Sequence, residues 1–512
     1  MSRPEKSPFY VTTPIYYVND APHIGHAYTS IAADVLARFH RLDGRPVFFL
    51  TGTDEHGQKI EQSAEKAGLD PQEFTNRISQ HFRDISPLLD LTETRFIRTT
   101  ETEHKKGAQA IWQRLIDNGH IYLSTYAGWY AVRDEAFYNE KELINGKAPT
   151  GADVEWVEEP SYFFNLSRWQ DKLLAFYDDN PDFIAPESRR NEVISFVKSG
   201  LRDLSISRSS FSWGVPVPND EKHVMYVWLD ALTNYITALG FPEKNANNYQ
   251  TYWPNVVHLV GKDILRFHAV YWPAFLMAAD LPLPKRLFAH GWWTIEGQKM
   301  SKSLGNTVTP RDLVDRYGVD QTRYFLMREV PFGNDGAFSK AAMIQRVNAD
   351  LANDLGNLVQ RVLSFIHKHA DAAIPNPGEL TTADTELLTF TKNLLPKARC
   401  EIDQQALHKY CETVWQGVSE ANRYVDAQEP WALRRSNPER MKTVLYVLAS
   451  AIHHLALLAS PVTPRAATKI LDQLSIPKQN RTFSHFDESL IPGRPLPKPE
   501  GVFPRLALQD GE

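Results

Sequence analysis

Two short segments of the chain contain residue types that can act on phosphate groups. The first spans residues 22–26 and includes His23, Gly25 and His26, immediately before a stretch with helical apolar spacing. A helix N-terminus presents free backbone N–H groups to an anion, and two histidines add side-chain donors. Gly25 leaves room for a flat base against the backbone. The segment predicts a nucleotide-phosphate site, although a helix-start turn with incidental histidines would have the same pattern.

The second segment is a loop that contains Lys299, Met300, Ser301 and Lys302. Two lysines three residues apart, with small hydroxyl residues beside them, predict a mobile cationic loop. Such a loop can neutralise the charge that develops on a leaving pyrophosphate. Taken alone, a pair of lysines at this spacing is more typical of a solvated basic surface.

The elements around the two segments predict an α/β fold. Strands and helices alternate at residues 9–13, 31–39, 47–50, 71–88, 256–260, 267–278 and 287–293. This order is typical of a parallel sheet with crossover helices. From about residue 118 to 220 the pattern changes to dense aromatics broken by proline and glycine, which indicates an insertion between two halves of the sheet domain.

Beyond residue 340 the strand pattern stops and apolar residues recur with the helical period. The predicted helices cover residues 343–369, 382–397, 407–427 and 438–460. Together they predict an all-helical domain, followed by a proline-rich tail that wraps the domain. The most apolar stretch, residues 444–462, contains His453 and His454, so we interpret it as a buried bundle helix and not as a membrane span.

Composition limits the class of protein. With 512 residues, 42% of them hydrophobic and a net charge of -6, the chain has the profile of a soluble enzyme of about three domains. The acidic balance excludes a general basic coat but not a nucleic-acid partner. No apolar signal core opens the chain, so cytoplasm is the expected location. Cys400 and Cys411 are expected on one helix, as two buried thiols about 16 Å apart.

Taken together, the segments at residues 22–26 and 299–303 resemble the two signature motifs of the class I aminoacyl-tRNA synthetases. The resemblance implies a Rossmann-like catalytic domain split by a connective-peptide insertion. It also implies that the amino-acid carboxylate attacks the α-phosphate of ATP, supplied with Mg²⁺, by positioning and charge stabilisation alone. The catalytic residues would be His23, His26, Lys299 and Lys302. The ATP contacts would add Gly25, Gly261, Asp263, Met300 and Ser301.

Four further segments, at residues 11–19, 52–57, 226–231 and 261–268, resemble the methionine-specific members of the class. Asp54 would then bind the substrate α-ammonium, unless it only caps a helix. An aromatic pocket suits a thioether, with sulfur–aromatic contacts of ~0.3–1.5 kcal/mol each; Tyr235 and His268 could add weak polar contacts to the sulfur. Leu232 replaces the proline of some relatives. The implied methionine contacts are Ile15, Tyr17, Asp54, Trp228, Ala231, Leu232, Tyr235, Ile264, His268 and Trp272.

Trp228 and Trp272 could instead be core residues. Many methionine-specific enzymes also carry a cysteine zinc knuckle in the insertion. Residues 129–135 contain no cysteine, and zinc without thiolates is not expected there. We therefore predict a zinc-free insertion that is held together by aromatic packing.

The helical part resembles the anticodon-binding domain of the same enzymes. Asn353, Asn357 and Arg361 recur at i, i+4 and i+8 and are expected on one helix face, where they suit base edges. Trp431 could stack on a base. A polar helix face and a core tryptophan remain the alternatives. Some of the following basic residues would meet the acceptor strand unless they are ordinary surface charges: Arg189, Arg190, Lys198, Arg202 and Arg208.

The resemblance implies ATP-dependent activation of L-methionine and its transfer to the 3′-terminal adenosine of tRNA(Met). We see no appended tRNA-binding module after the helical part, so we expect a monomer, without a membrane partner. The isoleucine, valine and leucine enzymes usually carry a larger editing insertion, and the cysteine enzyme needs a thiolate-bound zinc. A tRNA-binding paralogue without catalysis would not need both motifs. The expected divisions are residues 1–117 (first catalytic half), 118–221 (insertion), 222–295 (second half), 296–340 (lysine loop and stem-contact region), 341–485 (anticodon-binding domain) and 486–512 (tail).

Overall fold

The structure, a computed structural model, describes residues 6–19, 21–134, 136–138, 140–243, 245–295, 297 and 307–507. Strands and helices alternate in the first part of the chain. They are β1 (Phe9–Thr12), β2 (Tyr16–Tyr17), α1 (Ile24–Leu42), β3 (Val47–Asp54), α2 (Gln58–Lys66), α3 (Pro71–Arg83), α4 (Ile85–Leu89), β4 (Arg95–Arg98) and α5 (Thr102–Asp117). The helical run expected at 71–88 is thus two helices that meet at Asp84.

The predicted insertion follows α5 and consists mainly of short strands and two helices. They are β5 (Ile121–Ala131), β6 (Ala136–Tyr138), β7 (Glu155–Phe164), α6 (Gln170–Asp179), β8 (Ile184–Ala185), α7 (Glu187–Lys198), β9 (Leu204–Ser205), β10 (Ser207–Arg208), β11 (Pro216–Val217) and β12 (Asp220–Met225). β6, β5, β7 and β9 form an antiparallel sheet in that order, and β10, β12 and β11 form another.

The sheet pattern then resumes. Its elements are α8 (Val227–Thr237), α9 (Asn247–Tyr252), β13 (Val256–Gly261), a π-helical segment (Phe267–Tyr271), α10 (Trp272–Ala278), β14 (Arg286–His290), β15 (Trp293–Ile295), α11 (Pro310–Tyr317), α12 (Val319–Arg328) and β16 (Gly336–Phe338). The strand expected at 287–293 is therefore two strands, because β15 leaves the central sheet to pair with β16.

The central sheet is parallel, with strand order β2-β3-β1-β13-β14-β8 and β4 paired with β3. The strands β1 and β13 come from opposite sides of the insertion and pair directly, Tyr10 with Val256 and Thr12 with His258. The predicted α/β class is confirmed. The insertion is less separate than the sequence suggested, because its strand β8 pairs with β14 at the edge of this sheet.

Two apolar clusters cover the faces of the central sheet. One contains α5, α8, α10 and part of the insertion. The other begins at α1 and continues without a break into the C-terminal helices. Most residues of α1 are buried, because the sheet lies on one side of this helix and α4 and α12 lie on others. The orientation of α1 is therefore fixed by both the sheet and the helices around it.

The C-terminal part is helical, as predicted. Its elements are α13 (Lys340–Arg346), a π-helical segment (Val347–Gly356), α14 (Asn357–His369), α15 (Thr382–Asp403), α16 (Leu407–Gln428), α17 (Pro430–Ser436), α18 (Pro438–Ala459) and α19 (Pro464–Gln473). The prediction for the cysteines is wrong: Cys400 lies exposed on α15 and Cys411 lies buried on α16. The chain turns between them at Gln405, which has a positive φ of 56°.

The most apolar helix of the chain is α18. Its length and hydropathy would suffice for a membrane span, but 89% of its apolar window is buried inside the protein. The prediction of a buried bundle helix is confirmed. The tail that follows α19 places Phe483, Phe486 and Leu490 in the same cluster as α18, so it wraps the helical domain as expected.

Candidate active site

A cleft of about 630 Å³ lies at the carboxyl ends of the central strands. This is the usual ligand position in an open parallel sheet. Among the residues expected from the sequence, the cleft is lined by Ile15, Tyr17, His23, Gly25, His26, Asp54, Trp228, Ala231, Leu232, Tyr235, Gly261, Asp263, Ile264 and His268. Fourteen predicted positions, spread over some 250 residues of sequence, thus share one cavity.

The first turn of α1 is closed by the two motif histidines. The backbone N–H of His23 donates to Nδ1 of His26 at 3.0 Å, and the N–H of Gly25 donates to Nδ1 of His23 at 3.1 Å. A ring nitrogen that accepts a hydrogen bond carries no proton, so each imidazole must carry its proton on Nε2. The capping box thus fixes both tautomers and makes both Nε2–H groups donors.

The imidazole of His26 is packed among aromatic rings. Its centroid lies 3.9 Å from that of His23, 4.7 Å from Tyr16 and 5.2 Å from Phe82. Burial of the ring, together with the nearby His23, lowers the pKa of His26 well below its usual value. His26 is therefore neutral at physiological pH, in agreement with its role as an acceptor at Nδ1.

The structure gives a reason for glycine at position 25 that the sequence did not suggest. A Cβ built at this position would lie 2.9 Å from Cε1 of His23, which is closer than carbon atoms can approach. Any larger residue would push the His23 ring out of the capping position. Glycine at this position lets the His23 ring keep its capping position.

The second motif of the sequence is the predicted lysine loop. Lys299, Met300, Ser301 and Lys302 lie outside the described residues, and their assigned roles stay predictions. The residues that follow the loop are described: Thr307 and Thr309 line the cleft, and the Ile24 N–H donates to the Val308 carbonyl at 3.0 Å. The C-terminal end of the loop is therefore hydrogen-bonded to the first residue of α1.

A chain of hydrogen bonds crosses the aromatic half of the cleft. Nδ1 of His268 lies 3.0 Å from the Ile264 carbonyl, which can only accept, so Nδ1 carries the proton. Nε2 of His268 then accepts from the Tyr235 hydroxyl at 2.7 Å. Burial lowers the pKa of His268 to about 4, so this neutral form persists at pH 7. Neither Tyr235 nor His268 has a hydrogen left to donate to a thioether sulfur. This differs from the weak polar contact to the sulfur that the sequence suggested.

The remaining walls of the aromatic half are stacked rings. Trp228 lies parallel to Phe267 with centroids 3.7 Å apart. Trp272 is fully buried and lies 6.3 Å from Tyr235 between ring centroids. It is not among the residues that line the cleft, so the structure places it behind the wall that Tyr235 forms.

Several lining residues were not expected from the sequence. Thr29 contacts His290 with Oγ1 and Nε2 2.7 Å apart, which joins α1 to the end of β14. The Trp292 indole donates to Asp263 at 3.0 Å. Arg133 and Asp134 reach the cleft from the insertion. Only the position of His290 at the end of an apolar strand could have indicated its place.

A buried carboxylate connects the helix of the aromatic half to the sheet. Asp230 of α8 accepts from Nδ1 of His56 at 2.6 Å and from Nε2 of His104 at 2.7 Å. Burial alone would raise the pKa of Asp230, but the two histidines hold it well below its usual value. Since α8 also carries Trp228, Ala231 and Tyr235, this network fixes the lining of the cleft.

The tip of the insertion is held by a carboxylate and by small residues. Asp134 accepts from the hydroxyls of Tyr138 and Thr150, while Ala131, Ala148 and Ala152 form a small core. A tryptophan pair, at positions 129 and 156, adds an edge contact. In the part of the chain that the structure describes, no three His, Cys, Asp or Glu side chains form a metal site; a zinc-free insertion stays a prediction.

The predicted anticodon residues lie on the helical domain. Arg361 of α14 has its guanidinium carbon 5.6 Å from the centre of the Trp431 ring and pairs with Asp426 at 3.2 Å. Trp431 is 44% exposed, which argues against the core alternative. Glu429, in the left-handed conformation between α16 and α17, turns the chain so that Trp431 reaches α14.

Asn353 does not share a regular α-helix with Asn357. It lies in the π-helical segment, and its side chain accepts from Arg505 at 2.5 Å. In this segment the carbonyls of residues 350 and 354 accept hydrogen bonds from Trp415 and Asn422 of α16. The wider π turn shifts Asn353 from the expected i, i+4, i+8 face.

The basic residues of the insertion differ in exposure. Arg208 is buried, with its guanidinium carbon 4.8 Å from the centre of the Tyr226 ring. Arg189 pairs with Glu192 at 2.8 Å, and Arg190 donates to the Tyr177 carbonyl. Lys198 and Arg202 are exposed. These two are the ones that remain accessible to an acceptor strand.

Two family models and several known proteins match this chain. The family described as "tRNA synthetases class I (M)" matches residues 9–155 and 141–363, and the "Anticodon binding domain of methionyl tRNA ligase" matches residues 374–512. The methionine–tRNA ligase of Rickettsia felis is 55% identical, with 98% of this chain and 99% of the relative covered. That of Mesorhizobium japonicum is 54% identical, with 98% of each covered.

Solved structures of related proteins have the same fold as this chain. Mycobacterium tuberculosis methionyl-tRNA synthetase in complex with methionyl-adenylate is 52% identical, with a TM-score of 0.96 over 98% of this chain and 100% of that one. Its apo form gives a TM-score of 0.90 at 48% identity, over 99% and 100% of the two chains. Fold and cleft define a class I aminoacyl-tRNA synthetase. Within that class, the chain belongs to the methionine–tRNA ligase family.

The buried network of α8 can be tested by replacing Asp230 with asparagine. One histidine N–H would then face an amide N–H, and an unsatisfied buried donor costs about 1–3 kcal/mol. We expect a lower Tm in thermal unfolding. Glu103→Gln is the control, since Glu103 on α5 makes only an exposed pair with Lys106 and its loss should leave Tm unchanged. Equal effects in the two variants would contradict a stabilising role for the network.

Proposed function

We propose that this chain activates L-methionine with ATP and transfers the methionyl group to the 3′-terminal adenosine of tRNA(Met). The observation that carries the proposal is the first turn of α1, where two histidines of fixed tautomer line the same cleft as an aromatic pocket. Donors for phosphate and an apolar recess for a side chain are what adenylate formation requires of a site.

ATP would bind along the α1 side of the cleft. The positive end of the helix and the two Nε2–H donors suit phosphate oxygens, and exposed Asp263 suits a ribose hydroxyl. Mg²⁺ would enter with the triphosphate, because it is commonly held by substrate phosphates and the described residues include no protein cage for it. Lys299 and Lys302 would add charge on the pyrophosphate side, with Met300 and Ser301 between them.

The first step joins methionine to the α-phosphate. A carboxylate oxygen of methionine attacks the α-phosphorus, and the bond from that phosphorus to the bridging oxygen of the β-phosphate breaks. Pyrophosphate leaves and methionyl-adenylate remains. Negative charge develops on the phosphate oxygens during this exchange, and preorganised donors such as His23 and His26 stabilise it without reorganising.

Methionine would be held by charge at one end and by shape at the other. The Asp54 carboxylate, at the carboxyl end of β3, suits the α-ammonium. The side chain would occupy the recess formed by Ile15, Trp228, Tyr235 and Ile264. Since the Tyr235 hydroxyl and His268 are satisfied by each other, selection depends on the length and polarizability of the side chain. Tyr17, Ala231 and Leu232 complete the recess, and Trp272 supports it from behind.

The second step uses tRNA. A ribose hydroxyl of the terminal adenosine attacks the carbonyl carbon of methionyl-adenylate, loses its proton and releases AMP. The anticodon would meet Asn357, Arg361 and Trp431 on the helical domain, with Asn353 beside them. Lys198 and Arg202 are the accessible candidates for the acceptor strand.

We infer that the chain acts as a cytoplasmic monomer. We also propose the six divisions given from the sequence as its domain boundaries.

The role of the Nε2–H donors can be tested by ATP–pyrophosphate exchange with two variants of His26. Asparagine can replace Nδ1 as the acceptor that caps α1 but has no donor at the Nε2 position. We expect His26→Asn to keep its Tm and to lose about 10²–10³-fold in exchange rate, as when one oxyanion donor is removed. His26→Gln keeps a donor near Nε2, and its amide oxygen can still accept the His23 N–H, as glutamine does at the third position of a capping box. It should therefore retain more exchange at a similar Tm.

In the same assay, exchange by the unaltered chain should require methionine. Equal rates with isoleucine or valine would overturn the proposed function. If His26→Gln is as inactive as His26→Asn, the Nε2–H group is not the functional donor.

Selection by shape can be tested with norleucine, which replaces the methionine sulfur with a methylene. Tyr235→Phe removes the hydroxyl that donates to His268, and we expect a higher KM for both amino acids. The ratio of kcat/KM for methionine over norleucine should stay within about twofold, because no hydrogen bond to sulfur is lost. A tenfold fall in this ratio would show that the hydroxyl contacts the sulfur.

Anticodon stacking can be tested by Trp431→Ala. One stacked base contributes about 1–3 kcal/mol, so kcat/KM for tRNA charging should fall by the equivalent factor while exchange stays unchanged. Phe390→Ala is the matched control, because Phe390 is an exposed aromatic on α15 of the same domain. If charging and exchange fall together in Trp431→Ala, Trp431 is a packing residue.

A further inference from the structure

A single arginine side chain contacts three separate parts of the molecule. Arg323 of α12 is completely buried. Its Nε donates to the Val462 carbonyl at 3.0 Å and its Nη2 to the Pro461 carbonyl at 2.8 Å. Its Nη1 donates to the Leu89 carbonyl at 3.0 Å, and Nη2 also donates to Asp34 at 2.6 Å. The guanidinium thus bridges the α18–α19 turn, the end of α4 and the middle of α1.

The carboxylate that receives Arg323 belongs to the helix that carries the phosphate donors. Asp34 lies eight residues after His26 on α1, about 12 Å along the helix axis. Its Oδ2 accepts from Arg38 and Arg323, and its Oδ1 accepts from the N–H and hydroxyl of Thr92. With every lone-pair direction used, Asp34 cannot shift without moving its partners.

A second route joins the same helices. Asp90 accepts from Arg38 through its carbonyl at 2.5 Å, and its carboxylate lies 3.8 Å from Arg465 of α19. Arg465 is exposed while Arg323 is fully buried. Because solvent weakens the exposed pair, the mechanical connection between α19 and α1 depends mainly on Arg323.

We propose that Arg323 is a positioning residue that couples the tRNA-binding helical domain to the phosphate-binding end of α1. The inference depends on the proposed function. When tRNA engages the helical domain, a displacement of the α18–α19 turn is passed through the guanidinium to Asp34. The helix then carries His23 and His26 with it, since α1 is hydrogen-bonded along its length.

The chemistry of the side chain suits this task. Four of the five guanidinium N–H donors are used on four different acceptors in fixed directions, whereas a lysine ammonium has only three donors without a fixed plane. Arg323→Lys therefore keeps the buried charge opposite Asp34 but cannot hold the 461–462 turn and α1 together. This variant separates the coupling from the charge itself.

Asp320 provides a matched control on the same helix. It is nearly buried, and its carboxylate accepts from the N–H of Ala466 at 2.6 Å and of Arg465 at 3.4 Å. It thus connects α12 to the start of α19 but does not reach α1. Asp320→Asn weakens the same interface but leaves the four hydrogen bonds of Arg323 in place.

The test compares tRNA charging with ATP–pyrophosphate exchange, which needs no tRNA. For Arg323→Lys we expect the exchange rate to stay within about threefold of that of the unaltered chain. The kcat for charging full-length tRNA should fall by at least about tenfold. The KM for tRNA should stay unchanged. Charging of an acceptor-stem minihelix without an anticodon should stay unchanged. Asp320→Asn should lower Tm yet keep all three activities.

Two outcomes would overturn the proposal. One is an equal loss of exchange, minihelix charging and tRNA charging in Arg323→Lys, which would make the residue purely structural. The other is full retention of tRNA charging. Failure of the proposed function is distinguishable, because the unaltered chain would then show no methionine-dependent exchange.

Discussion

At the start of α1, the Nδ1 atoms of His23 and His26 accept backbone N–H groups, and these contacts fix which nitrogen of each ring carries its proton. Since the other ring nitrogen then carries the proton, each capping side chain keeps a possible donor at Nε2. Glycine at position 25 leaves room for the His23 ring. Aromatic neighbours keep His26 neutral, so the tautomer that caps the helix is also the one that can donate to a phosphate.

In the other half of the cleft, the polar side chains are hydrogen-bonded to one another. Tyr235 and His268 form a closed pair, and Asp230 is shared by two histidines. A pocket whose polar atoms are already hydrogen-bonded presents rings and methyl groups to its ligand. In the proposed function such a pocket would recognise an apolar side chain by its shape, and Asp54 would recognise the charge.

The two halves of the cleft are held in place by an apolar core that extends across the boundary between the sheet domain and the helical domain. The apolar cluster on the α1 face of the sheet continues into α18, and Arg323 lies within it. The helical domain thus shares its core with α1, the helix that begins at His23 and His26. The proposed anticodon face and the proposed phosphate site are connected by packing as well as by the chain.

Apolar periodicity, a local property of the sequence, predicted the parallel sheet and the helical domain, and the resemblance to the synthetase family implied fourteen of the residues that line the cleft. The sequence could not predict that Asp230 meets His56 and His104, since partners 174 and 126 residues away leave no local pattern. It did not show that Trp272 lies outside the lining of the cleft or that Asn353 lies in a π-helical segment, because both depend on neighbouring helices. Tertiary structure alone decided which donors are used and which remain for a substrate.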